Sequence, residues 1–201
     1  SSTTGMPMTS PPVRQRQSGL AEVIKYGVIT DPTLFAFLEE HLSACLSLEL
    51  RAVRVMVERS SRIKARIVSR DERETHNTRA QLNFGHTLGH ALEAATHYRR
   101  WTHGEAIAIG MCAAAEIAVE IGLLSTADFQ RIVQLIRQAG LPTQARRVSR
   151  GRVRQALAFD KKFIQGRQRW VLPTRIGRVV VTEAVPAAAI QRILARYVHK
   201  T

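Results

Sequence analysis

His86 and His90 stand four apart in "NFGHTLGHALEAATHYRRWTHGEA", residues 83–106. On a helix that spacing puts both imidazoles on one face, where two of them can serve one divalent ion. The pattern is not the H-E-x-x-H of metalloproteases, because Thr87 stands where that motif has its general base. Two histidines at this spacing are also what an ordinary hydrogen-bonded helix shows. His103 strengthens the metal reading. It precedes Gly104 at the start of an apolar segment, from which its side chain can point back across a short loop toward His86. Gly85 and Gly89 are four apart as well, so one helical stripe carries no side-chain bulk and another helix or a ligand approaches it closely. His41, His76, His97 and His199 read as ordinary residues without a chemical task.

A metal site of two histidines calls for a carboxylate. "GLAEVIKYG" offers Glu22, three residues before Lys25 and on the same helix face. Such a pair is usually a solvated ion pair. The alternative is that both side chains point into a cleft, Glu22 toward a cation and Lys25 toward an anionic substrate. The chain has 25 arginines and five lysines: Lys25, Lys64, Lys161, Lys162 and Lys200. In so arginine-biased a sequence, a lysine marks a place for a slim, titratable point charge rather than a flat guanidinium. That singles out Lys25, Lys64, Lys161 and Lys162.

The elements that must position these groups are mostly helical. Residues 18–29 read as a helix, and Asp31 caps a second one with Pro32 at its first position. Residues 47–69 form a longer amphipathic pattern, and a further helix spans Arg79 to about Thr96. Gly104–Ile121 is strongly apolar and reads as the central core helix. Ser125 and Asp128 resemble a capping box for a helix that stops at "AGLP". Residues 168–173 and 177–182 are strand-like, with a turn between them, and Pro186 opens a last helix. The expected fold is therefore mainly α, a multi-helix domain over residues 18–201 with a small β-hairpin near 168–182, preceded by a flexible tail at 1–17.

Composition narrows the function classes. The net charge is +14, but the basic residues are spread along the chain. The one dense run, "RRVSRGRVR" at 146–154, lacks interleaved aromatics and reads as a solvated face, so no nucleic-acid partner is expected. The longest apolar run, "AIAIGMCAAA", is ten residues and closes at Glu116, too short to span a bilayer, so no membrane partner is expected. Cys45 and Cys112 form no C-x-x-C pair and read as reduced core thiols, and the N-terminus lacks the apolar core of a signal peptide. A cytoplasmic location is the expectation. No glycine-rich phosphate loop is present in the sequence.

Five segments in this order, "SGLAEVIKYG", "KARIVSRDERE", "RAQLNFGHTLGHALE", "WTHGEAIAIGM" and "DKKFIQGRQRWVLP", resemble the C-terminal domain of 3-dehydroquinate synthase, one of the sugar-phosphate cyclases. The resemblance covers about residues 18–182. It implies a helical metal- and substrate-binding domain that follows an N-terminal Rossmann-like NAD domain, with the active site in the cleft between them. It implies Glu22, His86 and His103 as ligands of one divalent ion, zinc or cobalt, with His90 a substrate group rather than a fourth ligand. Lys25 would contact the substrate near the metal. Lys64, Glu74 and Arg79 would surround its carboxylate. Asn83, His90 and one of Lys161 and Lys162 would lie at its phosphate.

The implied reaction converts 3-deoxy-D-arabino-heptulosonate 7-phosphate to 3-dehydroquinate and phosphate, in the shikimate route to aromatic amino acids. NAD+ removes a hydride, the resulting ketone acidifies the neighbouring proton, phosphate is eliminated, the hydride returns, and the ring opens and recloses by an aldol step. The resemblance also implies a homodimer. Nothing before Ser18 in the sequence can make a Rossmann unit, so an NAD-binding domain or subunit is the expected partner, and the chain reads as a fragment, an excised domain or one piece of a split enzyme. Other readings stay open: a sister cyclase such as a 2-deoxy-scyllo-inosose or valiolone-type synthase, an inactive stand-alone metal-binding domain, and a basic nucleic-acid-binding domain.

Overall fold

A computed structural model describes residues 12–73, 78–163 and 167–201, with backbone alone at 72, 73 and 161–163. Its elements, in order, are α1 (Val13–Ile29), α2 (Pro32–Glu40), α3 (Leu42–Leu46), α4 (Leu50–Arg73), a 3-10 turn (Arg79–Asn83), α5 (His86–Ala95), α6 (His103–Glu120), α7 (Thr126–Gln138), β1 (Ala145–Arg146), α8 (Arg150–Phe163), β2 (Trp170–Arg175), β3 (Arg178–Thr182), α9 (Ala187–Tyr197) and β4 (Val198–His199). β2 and β3 form the expected antiparallel hairpin, with Val171 opposite Val181 and Leu172 opposite Val180. β1 and β4 make a two-residue parallel pair that closes the chain's end onto the segment before α8. No helix among the described residues is long and apolar enough to cross a membrane.

α6 is the central helix. It is apolar nearly all round, and Ala106 to Ala115 are buried without interruption. A helix of that composition is stable only when packed on every side, and α1, α5, α7, α9 and β2 supply the packing. Its start is fixed by a capping box: the Thr102 hydroxyl accepts from Glu105 N at 3.1 Å, and Glu105 Oε2 accepts from Thr102 N at 2.9 Å. Arg14 holds the same carboxylate through two contacts of 2.7 Å. Gly104 N donates to the Ser18 hydroxyl at 3.0 Å, which docks α1 on the start of α6. Ser18, Glu22 and Lys25 recur at helical spacing along α1, so this one hydrogen bond sets where the Glu22–Lys25 pair lies.

Three expectations need correction. α1 begins at Val13, so residues 13–17 are helix rather than tail, held by Arg14 on Glu105 and by Arg16 on the Leu46 carbonyl at 3.0 Å. The helix expected from Arg79 to Thr96 is a 3-10 turn and then α5, broken because Gly85 takes φ +81° as the residue before His86. The arginines of the run at 146–154 are exposed, as expected of a solvated face, and from Arg150 the segment enters α8, which buries Val153 and Leu157. Ser125 does cap α7, accepting from Asp128 N at 3.1 Å, but the Asp128 carboxylate accepts from Ile176 N at 3.1 Å and so anchors the hairpin turn.

The bare stripe at Gly85 and Gly89 is filled by α6. A methyl group at Gly110 would lie 1.9 Å from the Gly85 carbonyl oxygen, and one at Gly85 would lie 2.8 Å from the Ile107 carbonyl oxygen. Two backbones in contact cannot yield as side chains can. Gly110→Ala is therefore expected to cost about 3 kcal/mol, lowering the thermal midpoint by roughly 6–12 °C. Calorimetry of the variant checks this, and an unchanged midpoint would contradict the close approach.

Candidate metal and substrate site

Three helix positions converge. His86 is the first residue of α5, His103 the first of α6, and Glu22 lies mid-way along α1. One donor atom from each of the three lies within 4.8 Å of the other two. His86 Nδ1 lies 3.2 Å from the Phe84 carbonyl oxygen, which accepts its proton and leaves Nε2 as the lone pair. The ring centroids of His86 and His103 are 5.4 Å apart. His90 joins the cluster, 5.1 Å from His86 and 6.1 Å from His103 by ring centroids, and is exposed.

Glu22 divides its two oxygens. Oε2 accepts from the Lys25 ammonium at 2.6 Å, and Oε1 lies 3.4 Å from His103 Nε2. Lys25 is only 4 % exposed, and an ammonium so far from water needs a countercharge. Burial works against the Glu22 carboxylate, but the Lys25 ammonium, with His86 and His103, outweighs it and holds the carboxyl below the ordinary range. The same burial, followed by the Lys25 charge, pushes the His86 imidazole down to about 4. An ionised carboxylate and a neutral imidazole are the states in which both groups ligate cations. Two imidazoles and a carboxylate, leaving positions for substrate oxygens, suit a catalytic divalent ion such as zinc or cobalt.

Two cavities flank His90. The smaller, about 220 Å³, is lined by Asn83, His86, Thr87, His90, Asp160 and Arg169 among others. The larger, about 810 Å³, lies between α5 and α8 and includes His90, Glu93, His103, Arg152, Gln155 and Asp160. Of the residues read from the sequence, Glu22, Lys25, Asn83, His86, His90 and His103 are thus brought together. Lys64 on α4 and Arg79 at the start of the 3-10 turn are exposed and line neither cavity. Glu74 lies outside the described residues, as do the side chains of Lys161 and Lys162, whose backbone closes α8 just after Asp160.

Sequence reasoning passed over Glu93, Arg152 and Asp160. Glu93 is 8 % exposed, and His103 Nδ1 lies 3.0 Å from its Oε1. A signal for it existed: a lone carboxylate in "HALEAA", three residues after His90 and seven after His86, on the histidine face. Arg152 lies in a run that reads as a charged surface, and Asp160 reads only as the first residue of the "DKK" segment, without a role of its own.

The depressed His86 value predicts a pH dependence. An unfolded imidazole protonates near 6.5, and folded His86 only near 4. The unfolded chain therefore binds more protons across that window, and the metal-free protein loses stability as pH falls through it. The lowered Glu22 carboxyl acts in the same direction below its ordinary 4.5. Urea unfolding of chelator-treated protein from pH 6.5 down to 4 should show falling midpoints, with a flatter slope for His86→Gln. A wild-type midpoint constant with pH would contradict the buried, neutral histidine.

Residues 19–163 match the family model described as 3-dehydroquinate synthase C-terminal. The chain is 50% identical over 171 residues to the 3-dehydroquinate synthase of Pelotomaculum thermopropionicum, covering 85% of this chain and 46% of that protein. It is 46% identical over 187 residues to that of a Picosynechococcus species, covering 92% and 51%. Among solved structures, 2-epi-5-epi-valiolone synthase of Streptomyces hygroscopicus, with NAD+ and Zn2+ bound, superposes with a TM-score of 0.84 at 27% identity, covering 94% of this chain and 52% of the other. The chain spans about half the length of the curated relatives it matches.

Proposed function

The chain belongs to the 3-dehydroquinate synthase family, matching its C-terminal part, and from that premise we propose that it supplies the metal and substrate half of a 3-dehydroquinate synthase. The overall reaction is conversion of 3-deoxy-D-arabino-heptulosonate 7-phosphate to 3-dehydroquinate and phosphate, a carbon–oxygen lyase step of the shikimate pathway in the cytoplasm. The observation that carries this reading is the convergence of Glu22, His86 and His103 beside a buried Lys25. Glu22, His86 and His103 would hold a divalent ion, zinc or cobalt. A bound ion supplies Lewis-acid polarisation of a hydroxyl, and NAD+, held mainly by a Rossmann-like domain or subunit, supplies reversible hydride storage.

The chain's own residues bind and orient. Lys25 keeps Glu22 ionised and offers a cation beside the substrate. Asn83 and His90 line the small cavity and hold the phosphate end, aided by Lys161 or Lys162. Lys64, Glu74 and Arg79 would serve the substrate carboxylate from the segment before α5. Most of the contribution is positioning and fixed charge. A homodimer is the proposed assembly. A sister cyclase is the second reading, favoured by the fold shared with valiolone synthase. The higher identity to dehydroquinate synthases and the carboxylate-suited Lys64 and Arg79 favour the first.

The experiment is ligand binding by the purified 201-residue chain. One equivalent of zinc should survive dialysis, and a His86→Ala, His103→Ala double variant should lose it. The sugar phosphate or inorganic phosphate should bind weakly and in a salt-dependent way, with no measurable NAD+ binding and no turnover. A separately expressed NAD-binding domain should restore dehydroquinate formation. Stoichiometric zinc in the double variant would overturn the metal assignment. Tight NAD+ binding or product formation by this chain alone would overturn the half-enzyme account, and turnover by the reconstituted pair of a sugar phosphate that lacks the carboxylate instead would select the sister cyclase.

A further inference from the structure

We propose that Glu93 is a positioning residue of the metal site: its carboxylate accepts the Nδ1 proton of His103 and fixes the tautomer and ring orientation that leave Nε2 for the ion. The inference rests on the assignment of Glu22, His86 and His103 as the ligand set, and extends it to a residue that touches neither metal nor substrate. His103 is suspended between two carboxylates. Its Nδ1 lies 3.0 Å from Glu93 Oε1 and its Nε2 lies 3.4 Å from Glu22 Oε1. A neutral imidazole carries one proton and one lone pair, whereas ionised carboxylates only accept. The shorter contact has hydrogen-bond length and the longer one is marginal, so in the neutral ring that ligation requires the proton belongs on Nδ1. The Nε2 lone pair then faces the lone pairs of Glu22 Oε1, an arrangement that a cation between them satisfies.

His86 is built the same way from a different partner. Its Nδ1 proton goes to the Phe84 carbonyl, again leaving Nε2. Each of the two ligand histidines thus has one ring nitrogen fixed by an acceptor, the Phe84 backbone oxygen just before α5 for His86 and the buried Glu93 carboxylate on α5 for His103. Glu93 is suited to this because α5 holds it rigidly at 8 % exposure while half of the His103 side chain is open to solvent. Without Glu93, a half-exposed imidazole at the first position of a helix is free to turn.

A competing arrangement exists, since His90, Glu93 and His103 also place donor atoms within 4.8 Å of one another. It would require Nδ1 of His103 as the ligand and Glu93 in direct contact with the ion. The two arrangements compete for one ring, and variants separate them.

Cobalt and zinc binding to the purified chain is measured by chelator competition, with the visible absorption of the Co2+ form as a spectroscopic readout and circular dichroism as the fold control. Glu93→Ala should weaken the metal by about 10–100-fold and alter the Co2+ bands. Glu93→Gln, which still accepts the Nδ1 proton but lacks the charge, should recover part of the loss. His86→Ala should abolish binding. If Glu93→Ala does not fold, Glu93→Gln carries the test through a severalfold loss of affinity with its bands near those of wild type. Wild-type affinity and spectra in a folded Glu93 variant would overturn the proposal. So would loss of binding in Glu93→Gln together with wild-type binding in His86→Ala, which makes Glu93 a ligand. A wild-type chain that binds neither metal would instead refute the ligand assignment itself.

Discussion

The backbones of α5 and α6 touch at Gly85 and Gly110, and the chemistry of this chain depends on that contact. A methyl group at Gly110 would meet the Gly85 carbonyl oxygen at 1.9 Å, so no other residue type fits there without moving one helix. The contact fixes the start of α5, whose first residue is His86, against the body of α6, whose first residue is His103. The Thr102–Glu105 capping box fixes the other end of the relation. α1 is then pinned to the start of α6 by Ser18. A donor set assembled from two helix N-termini and one helix interior is only as precise as these three attachments.

Electrostatics sets the protonation states at the point of convergence. Lys25 is buried with Glu22 as its close acidic partner. A buried ion pair is weak evidence for stability, because desolvation offsets much of the attraction. Here the ammonium keeps the Glu22 carboxyl ionised and helps keep His86 unprotonated. Perturbed protonation states set by burial and one charge partner are the expected character of a functional site.

Much of the site was legible from residue types and order, and less from spacing alone. Glu22 with Lys25, and His86 with His103, lie in short segments whose types suit metal and anion binding, and the structure brings them within contact. The i, i+4 pair of His86 and His90 was the weaker clue: His86 sits in the three-residue set and His90 faces the cavities. The break before α5 was invisible because a glycine at φ +81° and a glycine inside a helix read alike. α8 was hidden by its arginines, since among its described side chains Val153 and Leu157 alone mark the buried stripe. Glu93 was not singled out because its partner, His103, is ten positions away across a loop. The two-residue pairing of Ala145–Arg146 with Val198–His199 is too short to leave a periodic signal.

The proposed chemistry requires one location for the ion. The most direct measurement is the anomalous difference map of crystals of the zinc-loaded chain, collected across the zinc absorption edge. The predicted result is a single strong peak bounded by Glu22 Oε1, His86 Nε2 and His103 Nε2, with Glu93 on the far side of the His103 ring. A peak among His90, Glu93 and His103, or no peak at this cluster in a crystal that binds zinc elsewhere, would contradict it.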